Sequence, residues 1–448
     1  MERRHSSRIK ARFLVTYNLK TEKNQSHSGT VLDLNRLGMR VVLPQSLPRE
    51  TVLDLKFEMN SSGPMLAHGV VVWQYEADPT AGVGKGYLTG IQFSRVQDIN
   101  PDHMAGAVGK TEPTQEDGSR KKTRLAKITH TASYLPKEIV TNRDILKMGL
   151  KSSEIALQRG LGAIERRSAG REESTADMIA EAARAILAKA GRHPSTIDLI
   201  VCAVNPSVAV APDVGSMVQE KIGAHCPAFE INMSCSGWLC SLDIARRFIA
   251  SGSRAILVMA ASAIGSKLPI KSLMHRAIFG DGAGGALLEA DPHEGGEILA
   301  CELWTRGEYG SDIYAPLPWT VTPLNASESY EDYFRMNPDK NAFFKVMDYH
   351  MLPFINRTLC KANVSLEDID VAFLHYPTKF LFDHSVKLLK FPRRKVIHNF
   401  GRYGNLVCAE MPVLLDESLR DGKIKKGDLV LMFTYGAGFT GGCAVIKL

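Results

Sequence analysis

Between residues 11 and 100, short apolar runs alternate with polar positions: ARFLVTY, GTVLDL, GMRVVL, TVLDLKF, HGVVVWQY and YLTGIQF, each ended by turn-forming residues. Period-two alternation rich in β-branched and aromatic residues predicts strands, so this stretch predicts a small antiparallel all-β domain. Residues 101–124, PDHMAGAVGKTEPTQEDGSRKKTR, are polar and show no apolar period, which predicts a flexible linker. From residue 125 the period becomes 3.6. ADMIAEAARAILAKAG reads as a helix of that period and leads into TIDLIVCAVNP, which reads as a strand. Helix and strand go on alternating, which predicts an α/β domain over residues 125–448.

That domain repeats internally. IDLIVCAVNP, opening at Ile197, recurs as IDVAFLHYP, opening at Ile369, at an offset of 172 residues. CSGWLCSLDIARRFIASG before RAILVMA is echoed, at an offset of 170, by NLVCAEMPVLLDESLRDG before DLVLMF. On this register Cys235 and Asn405 hold equivalent corners, each where a strand feeds a helix N-terminus and where backbone N–H groups favour negative charge. Two duplicated βαβ halves around one shared site are expected.

Length and composition change the picture only a little. At 448 residues with 44% apolar and 23% charged residues, the chain suits two or three ordinary globular domains. It has no run of the roughly 18 to 20 apolar residues that a membrane-spanning helix needs, and it opens on charges rather than an apolar leader, so a cytoplasmic location without a membrane span is expected. The eight cysteines, at 202, 226, 235, 240, 301, 360, 408 and 443, form no CxxC pair, which suits reduced thiols and predicts neither a metal site nor a cofactor. The net charge of +7 is concentrated: residues 1–50 hold ten Lys/Arg against four Asp/Glu. An anionic partner is expected there; with few aromatics and no basic helix, a small phosphorylated ligand fits better than nucleic acid.

From about Ala126 to Leu448 the motifs GAIERR, CPAFEINMSCSGW, FGDGAGGALL, YGN and YGAGFTGG occur in order, and the chain resembles the ketoacyl-ACP synthase III condensing enzymes of fatty acid synthesis. The resemblance implies a five-layered α/β thiolase fold with duplicated halves. It implies Cys235 as the nucleophile, His375 in LHYP as a catalytic imidazole and Asn405 in YGN as its partner. It also implies an oxyanion hole from the backbone N–H groups of Cys235 and Ala437, with Gly436 and Gly438 letting that backbone approach. A thiolate at a helix N-terminus takes an acyl group from an acyl-CoA or acyl-ACP donor. Malonyl-ACP then loses CO₂, and its enolate, held by His375 and Asn405, attacks the acyl carbon. Asp281 in FGDGAG reads as a turn that shapes the core.

Several positions depart from the family. Tyr376-Pro377-Thr378 follow the histidine where Gln-Ala-Asn is usual, and Leu406-Val407 follow YGN where Thr-Ser is usual. Ile155 stands in place of a tryptophan that stacks on the adenine of coenzyme A, although Arg159 is kept. Ala211 replaces a bulky aromatic that shortens the acyl pocket across the dimer interface in some members, which opens room for a longer chain.

At the other end, Arg4 and Arg8 stand four apart with Arg3 adjacent, and Asp33-Leu34-Asn35-Arg36-Leu37-Gly38 follows on a strand end. Residues 1–100 thereby resemble a PilZ domain, a small all-β barrel that binds cyclic di-GMP through an RxxxR arm and a [D/N]xSxxG motif, with Asn35 here in the serine position. The resemblance implies Arg3, Arg4, Arg8, Asp33, Asn35 and Gly38 as the cyclic di-GMP site. Guanidinium groups fork onto phosphates and guanine edges as lysines cannot.

The expectation is therefore a homodimeric condensing enzyme that works with acyl carrier protein and is regulated by cyclic di-GMP. Two alternatives stay open: a thiolase-fold acyltransferase to an alcohol or amine without decarboxylation, and a non-catalytic cyclic di-GMP effector scaffold.

Overall fold

The computed structural model describes residues 9–19, 26–35, 38–48, 51–58, 64–76, 87–97, 124–267, 273–314, 335–336 and 340–448. The chain separates into two compact units, Met1–Arg120 and Lys121–Leu448. Arg3, Arg4, Arg8 and nearly all of the expected linker lie outside the described residues.

In the first unit all six expected strands form: Ile9–Leu19, Ser26–Asn35, Gly38–Leu43, Val52–Glu58, Pro64–Glu76 and Tyr87–Gln97. In the order first, second, third, sixth, fifth, fourth they close into a barrel, which leaves no unpaired edge. Alternation puts Val15, Tyr17, Val31, Met39, Val41, Leu53, Leu55, Val71 and Ile91 inside. Asp33 pairs with Arg40 and Asn35 with Gly38, so the DxNxxG motif begins at the end of the second strand and closes at the start of the third.

The second unit is built on a ten-stranded sheet whose strand order exposes the duplication. Its first half runs Ala228–Ile231, Leu199–Asn205, Ala255–Ser262, Gly282–Ala290, Ala126–Tyr134. The second half continues Gly296–Thr305, Thr440–Lys447, Leu429–Gly436, Val371–Leu374, Val396–Ile397. Ranked by chain position within each half, the orders are 3-2-4-5-1 and 1-5-4-2-3, mirror images of each other. The halves join through Gly296 opposite Ile128 and Glu297 opposite Lys127.

Both faces of each half-sheet are covered, which is why strands such as Leu199–Asn205 and Ala255–Ser262 are nearly continuously apolar. Along Leu199–Asn205, Leu199, Val201 and Ala203 face one core while Ile200, Cys202 and Val204 face another. The first of these cores lies at the centre. It packs helix Gly237–Ser251, through Trp238, Leu239, Leu242, Ala245 and Ile249, and helix Glu410–Arg420, through Met411, Val413, Leu414 and Leu415, between strands of the two halves. The outer faces are covered by helices Thr175–Ala190 and Val214–Ile222 on one side and by Lys340–Ala362 and Lys379–Leu389 on the other. Helix, sheet, helix, sheet, helix make five layers.

The repeat register inside the central layer differs from the offset of 170 expected from sequence. A 3-10 turn at Ser234–Ser236 leads into the helix at Gly237, and a 3-10 turn at Val407–Ala409 leads into the helix at Glu410, an offset of 173. Ser234 and Val407 share left-handed backbone, with φ of 46° and 52°. The N–H of Ser234 donates to Asn232 Oδ1 at 3.3 Å, and that of Val407 donates to Asn405 Oδ1 at 2.8 Å. Cys235 is thus mirrored by Cys408, and Asn405 by Asn232. The two chemically interesting residues sit three positions apart in the repeat rather than at one corner.

Candidate active site

Cys235 lies in the 3-10 turn immediately before helix Gly237–Ser251. No side chain caps that helix, so its first N–H groups are left for whatever lies at its mouth. The residue is half-buried, packed against the apolar group that includes Ile264, Ala277, Phe279 and Val407. Its counterpart Cys408 shows what the same turn does without chemistry. That thiol is wholly buried, lies 3.2 Å from the Ala261 carbonyl and 3.5 Å from that of Ala203, and is pushed far up by burial.

Strand Leu429–Gly436 brings a second backbone segment against the sulfur. A Cβ placed on Gly436 would lie 2.9 Å from both the backbone nitrogen and the Cβ of Cys235, and 3.1 Å from Sγ. Only the absence of a side chain permits this approach, and Ala437 follows at once. Gly438 serves differently. At φ 74° it needs the left-handed freedom of glycine, while a Cβ there would find ordinary space. A Gly436→Ala variant is expected to displace the Cys235 turn and slow acylation by about 10²-fold, as misplacing a reacting group does. Rapid-quench mass spectrometry of the acyl adduct measures this, and acylation at the wild-type rate would contradict it.

His375 directly follows strand Val371–Leu374 and extends its ladder, its N–H donating to the Phe433 carbonyl at 2.9 Å. The imidazole is fully buried, with the Tyr435 ring edge-on at 5.6 Å between centroids. Nδ1 lies 2.5 Å from Glu410 Oε2, and the Tyr376 N–H donates to Glu410 Oε1 at 3.1 Å. Cys235 reaches the same ring. Burial by itself pushes the imidazole down, but the charge of the Cys235 sulfur, then that of Glu410, and side-chain hydrogen bonds to both raise it from 6.5 to about 10. Nε2 is buried and meets no protein group at full hydrogen-bond geometry.

Asn405 is buried and held from both sides, its N–H donating to Ile278 O at 2.8 Å and its carbonyl accepting from Gly280 N–H at 3.1 Å. Oδ1 accepts the Val407 N–H, which fixes the amide and leaves Nδ2 as the donor end. The FGDG segment therefore positions Asn405. Asp281 anchors the segment by accepting the N–H groups of Ala169 at 2.9 Å and Gly265 at 3.1 Å, the shaping role read from sequence. Sequence reasoning missed Glu410. Its signal is a carboxylate within CAEMPVLL, a run whose residues from Cys408 to Leu415 are all buried, so that it demands a partner.

Ile155 and Arg159 are both exposed, one turn apart on helix Glu154–Gly160, and Val208, Val210, Ala211 and Pro212 are exposed ahead of helix Val214–Ile222. No helix among the described residues is long and apolar enough to cross a membrane, and no metal-holding cluster occurs among them.

Comparison with known proteins agrees with this architecture. Residues 229–307 match the model of 3-oxoacyl-[acyl-carrier-protein] synthase III, residues 359–448 match that of its C-terminal part, and residues 2–108 match the PilZ domain. The β-ketoacyl-[acyl-carrier-protein] synthase III of Thioalkalivibrio sulfidiphilus is 31% identical over 326 residues, covering 72% of this chain and 99% of the relative. That of Clostridium perfringens strain ATCC 13124 is 33% identical with the same coverage. The crystal structure of 3-oxoacyl-[acyl-carrier-protein] synthase III from Aquifex aeolicus VF5 superposes with a TM-score of 0.63 at 29% identity, over 72% of this chain and all of that one. The chain is a two-part acyltransferase, a PilZ domain followed by a thiolase-fold unit that belongs to the β-ketoacyl-[acyl-carrier-protein] synthase III family.

Proposed function

We propose that the protein transfers an acyl group from a CoA or ACP thioester to Cys235 and condenses it with malonyl-ACP to a 3-oxoacyl product, under control of cyclic di-GMP bound by the PilZ domain. The observation that carries the enzymatic part is the contact of Cys235, at an uncapped helix N-terminus, with an imidazole whose pKa its charge helps raise to about 10. In acylation the Cys235 sulfur forms a new C–S bond as the donor's C–S bond breaks, and the carbonyl oxygen turns toward the N–H groups of Cys235 and Ala437. In condensation the malonyl C–C bond breaks, CO₂ leaves, and the electron pair moves onto the thioester oxygen, which His375 Nε2–H and Asn405 Nδ2–H receive. The enolate carbon then bonds to the acyl carbon and the Cys235 thiolate departs. Preorganised donors to such an oxyanion are worth roughly 3 to 4 kcal/mol each.

The exposed segment around Val210 and Ala211 is where a homodimer would close over the acyl chain. The match to the PilZ domain and the pairing of Asp33 with Arg40 and of Asn35 with Gly38 support the nucleotide reading, in which Arg3, Arg4 and Arg8 would supply the phosphate clamp. The test incubates the full chain with acyl thioesters and malonyl-ACP, with and without cyclic di-GMP. A two-carbon extension with CO₂ release, altered by the nucleotide and insensitive to it in an Arg4→Ala, Arg8→Ala variant, is expected. Acyl transfer without CO₂ release would favour transfer to an alcohol or amine. A rate indifferent to cyclic di-GMP across donors would remove the regulatory half.

A further inference from the structure

Glu410 is the carboxylate bonded to Nδ1 of the proposed imidazole, and it comes from the central helix rather than from the loop that carries the histidine. Its carboxylate is 1% exposed, as is the His375 side chain, and both its oxygens are engaged, Oε2 with His375 Nδ1 at 2.5 Å and Oε1 with the Tyr376 N–H at 3.1 Å. It is the first residue of helix Glu410–Arg420, where the helix field favours a negative charge. An ionised carboxylate only accepts hydrogen bonds, so Nδ1 must carry a proton. A neutral ring would then hold its lone pair at Nε2 and could only remove protons there. A ring that donates at Nε2 must be the imidazolium.

We propose that Glu410 is a positioning residue that holds His375 as an imidazolium through the condensation step, so that Nε2–H is a charged donor to the developing enolate oxygen. This deepens the reading of Cys235 and His375 given above and rests on it. The charges balance without an added acid or base. The malonyl carboxylate enters with one negative charge, CO₂ leaves neutral, and the charge finishes on the Cys235 thiolate beside the imidazolium, which regenerates the pair that begins the next cycle. The other groups that face the pair are Cys235 from its 3-10 turn, Tyr435 from strand Leu429–Gly436, Tyr376 on the loop after Leu374, and His398 before helix Phe400–Tyr403, whose own pKa burial lowers. Among these, Cys235 and Glu410 are the groups that favour the charged imidazole.

The experiment compares wild type with Glu410→Gln, which keeps the shape, and Glu410→Asp, which keeps the charge on a shorter arm. Acyl-adduct formation and malonyl-ACP decarboxylation are each followed from about pH 6 to about pH 10.5, from just below the ordinary imidazole value to just above the raised one. In wild type, decarboxylation is expected to persist until the pH nears about 10, the value to which the imidazole is raised. In Glu410→Gln the alkaline limb is expected to move down by at least about one unit and kcat to fall about 10- to 100-fold, while KM for malonyl-ACP changes little and Glu410→Asp recovers part of both. An unchanged alkaline limb in a folded Glu410→Gln enzyme overturns the inference. Should that variant fail to fold, NMR titration of the His375 ring in the wild-type full chain decides, and a pKa at or below the ordinary value of about 6.5 overturns the inference equally. Absence of any adduct on wild-type Cys235 would instead sink the reading on which it rests.

Discussion

Replacing Cys235 with alanine is expected to abolish the acyl adduct and to lower condensation by at least about 10⁴-fold, as removal of a covalent nucleophile does. Intact-protein mass spectrometry after incubation with an acyl thioester reads the first effect. Fold should survive, because the sulfur is half-buried and belongs to the rim of its apolar cluster. The informative part is what persists. His375 and Asn405 remain, so slow decarboxylation of malonyl-ACP is expected without extension of any acyl chain. Its alkaline limit should also fall, because after burial the Cys235 charge is the largest influence on the imidazole, and a raising one. Condensation by the alanine variant at even one tenth of the wild-type rate would remove the nucleophile from the proposal.

The linkage to stability has a definite sign. A histidine raised from 6.5 to about 10 contributes stability that is complete below pH 6.5 and is lost as the pH rises through about 10. Alkaline conditions therefore loosen the site and silence the donor together. Two carboxyl-bearing or sulfur-bearing partners on one ring explain how a wholly buried histidine can remain charged, since burial alone would discharge it.

Much of this was legible in the chain because the elements differ in period. The barrel strands declare themselves by alternation, and the paired helix-and-strand units of the α/β part recur clearly enough to foretell two similar halves, though not the mirror order of their strands. The site was legible only through motifs. Cys235 cannot be told from Cys408 by local pattern, since each closes an Asn-x-x-Cys segment, NMSC and NLVC. That shared segment also carried the true register of 173. The offset of 170 pairs Cys235 with Asn405, which match in chemical interest but not in backbone position. What separates the two cysteines is tertiary: one turn opens beside Gly436 and His375, the other is sealed against the carbonyls of Ala203 and Ala261. Glu410 was hidden for another reason. Thirty-five positions separate it from His375, and an acid at a helix start has a sufficient local explanation in the helix dipole.

Removing the imidazole should also be damaging, by a different route and by a smaller factor than removing the sulfur. His375→Ala is expected to lower malonyl decarboxylation by about 10²- to 10³-fold, the usual effect of deleting one oxyanion donor, while some acyl adduct still forms on Cys235. The same change strands Glu410, a buried carboxylate whose Oε2 then has no cation, at a cost of about 3 to 5 kcal/mol. Pairing it with Glu410→Gln removes the unpaired charge, so the double variant should be more stable to urea than His375→Ala alone and yet no more active. Asn405→Ala separates the other donor. It should lose a similar factor in decarboxylation with a smaller loss of stability, because Oδ1 accepts only the Val407 N–H and no ion pair is broken. If the double variant regained activity along with stability, His375 would be a structural member of a buried pair, and the donor to the enolate would have to be sought elsewhere.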